Sequence, residues 1–305
     1  MNIFFLFLDG VGLGVDDPLI NPFTRAEMPN LRSILGGNRL LIDTAPYQGA
    51  RASLLALDAC LGVEGLPQSA TGQTVLLTGK NIPADLGYHY GPKPNPPVAA
   101  YLTNGNLFSQ LRKRGLHSAL INAYPPRYFE GIESGRRLYS AIPLAVTSAG
   151  LKLKTAVDLN SGQAISADFT GQGWRTHLGQ PDVPVLSPQE AGSQLGLVAS
   201  QYDFALFEYW LSDYAGHHQD MTEAVYLLEL FDQVLAGLLS TWEDEQGLVL
   251  ITSDHGNLED LSTRRHTRNP VPAILIGAQR YREEFSRDLY DLTQIAPAIS
   301  GLLST

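Results

Sequence analysis

The run Leu248-Val249-Leu250-Ile251-Thr252, followed at once by Ser253-Asp254-His255-Gly256-Asn257, most constrains what this chain can fold into. Five consecutive apolar or β-branched residues without alternation predict a strand covered on both faces in a parallel sheet. Ligands of open α/β sheets gather beyond the carboxyl ends of the strands, and this strand ends on a carboxylate and an imidazole. Neighbouring side chains in a strand point to opposite faces, so Asp254 and His255 can grip one ion only if the chain turns there. Gly256 permits that turn. Alone, the same residues also fit a polar loop tip in which Asp254 caps the next helix.

Other segments deliver matching groups. Met1 to Leu8 predicts a first strand and leads into Asp9-Gly10-Val11-Gly12-Leu13-Gly14. The alternate glycines bring to mind a dinucleotide-binding turn, but their spacing is wrong for one, and Asp9 is better placed as a metal ligand. Gly65 to Asn81 is a Ser/Thr/Gly-rich loop running into a short apolar helix, which would aim backbone N–H groups and a hydroxyl at an anion. Ser69 or Thr71 could equally cap that helix. Asp203 to Tyr209 predicts a strand leading to Asp213-x-x-x-His217, a spacing that puts both side chains on one face of a helical turn. A helix period comes next over Asp220 to Ser240, with apolar residues at 225, 228, 231, 235 and 238. His266, taken alone, reads as a solvated histidine in a basic loop before the strand Pro272 to Ile276.

Between about Ser134 and Ala199 the pattern changes. Leu151 to Val157 and Ile165 to Phe169 alternate around the turn Asn160-Ser161-Gly162, which predicts a hairpin. The expected organisation is an α/β core from 1–133 and 200–305 with a small inserted cap at 134–199.

Composition excludes several classes. A net charge of −10 argues against nucleic acid or an anionic membrane as the main partner, though a bound cation could still present a positive field to a small anion. No apolar run is expected to span a bilayer, and the N-terminal run lacks the basic start and cleavage site of a signal peptide. The single cysteine, Cys60, fits a reducing, cytoplasmic setting. Nothing in the composition fixes an oligomeric state.

Asp9, Asp213, His217, Asp254, His255 and His266 together mix hard oxygen with borderline nitrogen, a donor set suited to Mn or Zn and large enough for two ions. With Ser69-x-x-Gly72 and His266-Thr267-x-Asn269-Pro270-Val271-Pro272, their order resembles the alkaline phosphatase superfamily, in particular the branch of cofactor-independent phosphoglycerate mutase and phosphopentomutase. The resemblance covers the beginning and last third of the chain. It implies an alkaline-phosphatase-like core, a mostly parallel sheet flanked by helices. It also implies one ion held by Asp213, His217 and His266, and a second by Asp9, Asp254, His255 and Ser69. Ser69 would attack phosphorus in line and become a phosphoserine. The implied activity is that of a metal-dependent phosphoesterase or phosphomutase acting on a small phosphorylated metabolite. The alternative is a non-catalytic metal-binding protein of the same fold that holds a phosphorylated ligand.

The departures concern substrate. Gln73 stands where the branch's mutases carry a histidine, and the chain has no room for the large arginine-bearing insert of the bacterial phosphoglycerate mutase. Thr71, Gln73, His89 and Arg127, with Arg136 and Arg137, are the candidates for holding substrate.

Overall fold

The computed structural model describes residues 1–304. Among them nine strands form: β1 (Asn2–Leu8), β2 (Tyr47–Gln48), β3 (Ala52–Leu57), β4 (Ser118–Leu120), β5 (Ala123–Tyr124), β6 (Lys154–Thr155), β7 (Phe204–Tyr209), β8 (Gly247–Thr252) and β9 (Val271–Gly277). Seven of them make one sheet in the order β2-β3-β9-β8-β1-β7-β4. The block β8-β1-β7-β4 is parallel; β9 runs against β8, β3 against β9, and β2 against β3. Five strands therefore share one direction and two oppose it, so the sheet is mixed around a parallel centre.

Each central strand buries both of its faces, as the unbroken apolar runs predicted. Phe4, Leu6, Ala205, Phe207, Val249 and Ile251 face a layer containing the helices Pro188–Ala199 and Met221–Thr241. Ile3, Phe5, Phe7, Phe204, Leu206, Leu248 and Leu250 face the opposite layer, with the helices Ser69–Thr78, Leu107–Lys113, Ala141–Ser148 and Ile295–Leu302. Phe7 of β1 is in register with Glu208 on one side and Thr252 on the other. The three strands therefore end level, and their C-terminal loops all emerge at one edge of the sheet.

Two expectations need correction. The Met221–Thr241 helix, at 21 residues, is long and apolar enough to cross a bilayer by length and composition, contrary to the expectation that no run would be. Its Leu228, Phe231, Leu235 and Leu238 are buried in the core. The hairpin over 151–169 does not form either. Thr155 instead caps the helix Ala156–Asn160 in a capping box with Asp158, and β6 pairs in parallel with β5. Val157, the last residue of the supposed alternation, is 76% exposed.

The segment expected as an insert also reaches into the core. Its Ala141–Ser148 and Pro188–Ala199 helices pack on opposite faces of the central sheet. Between them, Ala164, Trp174 and Val183 join Ala123 in a small cluster of their own.

Candidate metal centre

Three level strand ends place Asp9 after β1, the helix Leu211–His218 after β7, and Ser253-Asp254-His255 after β8. Ser212 donates to the Asp9 carbonyl at 2.6 Å, tying the second of these to the first. Gly10, at φ +68, is needed because a side chain there would run into Asp213, whose Cβ would lie 2.8 Å from the added carbon. Gly72 has the same purpose on the Ser69–Thr78 helix: an added Cβ would sit 2.8 Å from the Cβ of Asp254. The Ser-x-x-Gly spacing thus lets the helix start lie against the carboxylate that ends β8.

The imidazoles are oriented from behind. His217 Nδ1 lies 2.8 Å from the Arg264 carbonyl and His266 Nδ1 lies 2.7 Å from the Pro67 carbonyl. A carbonyl only accepts, so both rings carry a proton on Nδ1; His266, whose pKa is lowered, presents a lone pair on Nε2, whereas the hydrogen bond to Asp213 raises the pKa of His217 and favours a proton on its Nε2. Those two Nε2 atoms are 3.3 Å apart. Asp213 completes the group, with Oδ2 3.2 Å from His217 and Oδ1 3.7 Å from His266. His255 stacks on His266 at 3.6 Å between ring centroids, its Nδ1 facing the Gly256 carbonyl at 3.4 Å. Its Nε2 lies 3.4 Å from Asp9 Oδ1, 3.7 Å from Asp254 Oδ2 and 3.0 Å from Ser69 Oγ.

Two groups of donor atoms lie close enough to hold one ion each: Asp213, His217 and His266, and Asp9, Asp213 and His255. The first is the set the resemblance implied. In the second, Asp213 joins Asp9 and His255, and Asp254 stands beside His255.

The electrostatics fit a cation. Burial, then the charges of Asp254 and Asp213, push the Asp9 carboxyl well above the usual carboxylate range. Burial and the Asp213 charge push Asp254 up to about 7. Burial also presses on Asp213, but the hydrogen bonds from His217 and Asn257 and the nearby imidazoles outweigh it and hold that carboxyl below the usual range. Burial lowers His255, and burial together with His255 lowers His266 to about 4. Among the described residues, Asp9 Oδ1 and Asp254 Oδ2 are buried without a hydrogen bond. Lone pairs on nitrogen and oxygen therefore converge with too few protons between them. A divalent cation satisfies such a set; protein dipoles do not.

Ser69 is the first residue of its helix, and Gln68 occupies the cap without a side-chain bond. Its hydroxyl remains directed at His255. Thr71 does not share that role, because its Oγ1 accepts from Tyr90 N at 3.1 Å and lies 3.1 Å from the Gln68 carbonyl, anchoring the next loop. Of the substrate candidates, Gln73 reaches the centre, with Nε2 3.4 Å from Asp9 Oδ2. His89 is half-buried beside the backbone of Cys60 and Val63, and burial lowers its pKa. Arg127 is exposed, Arg136 bonds Ser134, and Arg137 covers the Tyr128 ring at 4.7 Å. The structure thus gathers the ligand candidates and Ser69 and leaves Thr71, His89 and Arg127 with other partners or surroundings.

Three residues were not anticipated. Asn257 donates to Asp213 Oδ1 at 2.7 Å. Glu259 is buried among the ligand loops. Glu208, at the end of β7 on the same face as Asp9 and Asp254, is buried; burial pushes its carboxyl up to about 7 while the Tyr124 hydroxyl at 3.4 Å pulls it down. Its position in an otherwise apolar strand was the available signal.

Residues 190–305 match the family model described as the Metalloenzyme superfamily. A 2,3-bisphosphoglycerate-independent phosphoglycerate mutase from Halobacterium salinarum is 30% identical over 158 residues, 48% of this chain and 30% of that protein. Its counterpart from Antithamnion sp. is 33% identical over 109 residues, 34% of this chain and 21% of that one. The alkaline phosphatase of the Antarctic bacterium TAB5 superposes with a TM-score of 0.52 at 12% identity, over 99% of this chain and 97% of that one. The chain has the fold of that alkaline phosphatase. It spans less than a third of the length of these two curated relatives. That shared fold accounts for the mixed sheet with the candidate ligands at its level strand ends.

Proposed function

We propose that the protein is a metal-dependent phosphoryl-transfer enzyme, a phosphoesterase or phosphomutase, acting on a small phosphorylated metabolite through a phosphoserine at Ser69. The observation that carries this reading is the hydroxyl of Ser69, 3.0 Å from His255 Nε2 at a helix start, facing a set of buried, proton-poor ligands. Asp213, His217 and His266 would hold one Mn or Zn ion; Asp9, Asp254 and His255, with Asp213 and Ser69 alongside, would hold the second. Bound there, such ions lower the pKa of a hydroxyl and neutralise phosphoryl oxygens.

The chain's own residues supply the rest. Ser69 gives up its proton, and Oγ bonds to phosphorus as the bond to the leaving oxygen breaks; that oxygen departs with a proton. The N–H groups of the first turn of the Ser69–Thr78 helix favour the negative phosphoryl group. Water or a second substrate hydroxyl then takes the phosphoryl group from Ser69, giving inorganic phosphate or an isomer.

The test is an acid quench of Mn-loaded protein during turnover of an aryl phosphate, followed by mass spectrometry. A phosphate adduct on Ser69 is expected, and Ser69→Ala should lower turnover by about 10³-fold or more. An adduct on Thr71, or full activity in Ser69→Ala, overturns the assignment.

A further inference from the structure

Glu259 is 1% exposed, and both of its oxygens are occupied. Oε2 accepts from the backbone N–H of Gly12 at 2.9 Å and of Asn257 at 2.8 Å. Oε1 accepts from the Thr267 hydroxyl and from Asn269 Nδ2, the latter at 3.0 Å. The donors lie on three separate loops, each of which bears ligand candidates: Asp9 precedes Gly12, Asp254 and His255 precede Asn257, and His266 adjoins Thr267. Asn257 carries the linkage on to Asp213. Two glycines make room for this arrangement, since a Cβ at Gly12 or at Gly256 would collide with the Glu259 carboxylate. Backbone bonds from Leu258 to Gly10 at 2.8 Å and from Thr267 to Gly256 at 2.9 Å close the loops around it.

A carboxylate offers about four lone-pair directions, and here four donors fill them. Nothing remains for an ion, so Glu259 is not a ligand. We infer that Glu259 is a positioning residue that sets the separation of the two ion sites by clamping their three loops to one buried carboxylate. The inference rests on the two-ion reading above.

Mn²⁺ titration of the full chain, followed by electron paramagnetic resonance, tests both and separates them. Wild-type protein should bind two ions whose spins couple. Glu259→Gln keeps the size of the side chain but turns an NH₂ toward two of the four donors. It should fold, by circular dichroism, yet bind at least one ion about 10–100-fold more weakly and lose spin coupling. Asn269→Ala removes a single, half-buried donor and should shift affinity and coupling in the same direction by less. If wild type couples two ions while both variants match it, this inference falls and the two-ion reading stands. If Glu259→Gln unfolds and Asn269→Ala matches wild type, Glu259 is only scaffold and the inference falls again. If wild type takes up no Mn²⁺, the two-ion reading fails and takes the inference with it.

Discussion

The two halves of the candidate metal centre are built on different electrostatic plans. The Asp213–His217–His266 half is partly open, with the His217 side chain 42% exposed, and it is already internally bonded: Asp213 accepts from Asn257 and pairs with His217. Its carboxyl is held below the usual range as a result. The half around Asp9, Asp254 and His255 is sealed, and both of its carboxyls are pushed upward by burial and by neighbouring carboxylates. The first half can exist comfortably without an ion. The second has two crowded carboxyls that need either protons or a cation, so an ion bound there would be coupled more tightly to folding.

Substitution on each side should show that contrast most visibly. Asp254→Asn removes a charge from the sealed half, so the variant should lose one of two bound ions and lower turnover by about 10²-fold or more. Its metal-free form should nevertheless be at least as stable as metal-free wild type, since a burdened carboxyl is gone. His217→Ala, on the open half, should also lose one ion but destabilise the metal-free protein, because it removes the bond that holds the Asp213 carboxyl down. Elemental analysis gives the ion counts, and urea unfolding in chelator gives the stabilities. Equal destabilisation of both metal-free variants would show that the two halves do not differ as described.

Proton competition sharpens the same contrast. In the metal-free protein Asp254 titrates at about 7, raised by burial and Asp213, so an ion entering the sealed half below that pH must displace a proton. Its apparent affinity should fall by up to about tenfold per unit between pH 7 and 6 for each proton displaced. On the open half Asp213 has no such proton to lose in this range, but His217, whose pKa the bond to Asp213 raises, does, so the count for the sealed half is read in His217→Ala. Calorimetric titration with Zn²⁺ in buffers of different ionisation enthalpy counts the protons. Release of none at pH 6 would remove the distinction.

How much of this could be read from the chain depends on whether the deciding contact is local. The β8 run and its Asp254-His255 end were legible because burial on both faces leaves an uninterrupted apolar string. Asp213 and His217 were legible because a helical turn alone makes them neighbours. Strand β3 was not: Ala52-Ser53-Leu54-Leu55-Ala56-Leu57 has no clear period, and its register comes from pairing with β9, more than 200 residues away. The supposed hairpin failed to a local competitor, the Thr155-x-x-Asp158 capping box, which the alternation of Leu151, Leu153 and Val157 concealed. Glu259 was invisible for the same reason as β3, because its role lies in donors brought from residues 12, 267 and 269.

Glu208 offers the smallest and cleanest probe of the sealed half, because it shares that environment without belonging to either ligand group. Its carboxyl is pushed up to about 7 by burial, with the Asp254 charge adding and the Tyr124 bond opposing, against 4.5 for an unperturbed glutamate. Between those two values the folded state holds more protons than the unfolded one, so stability falls as pH rises through the window. The favourable contribution is fully present below about pH 4.5 and lost above about pH 7, a change on the order of 3 kcal/mol at about 1.4 kcal/mol per unit. Glutamine at this position keeps an acceptor for the Tyr124 hydroxyl and never ionises. In chelator, Glu208→Gln should therefore be more stable than wild type at pH 8, by up to that amount, and nearly indistinguishable from it near pH 4. Urea unfolding at the two pH values measures the difference directly. A gap that is the same at both, or one that favours wild type at pH 8, would mean that Glu208 does not carry the burden of the sealed half.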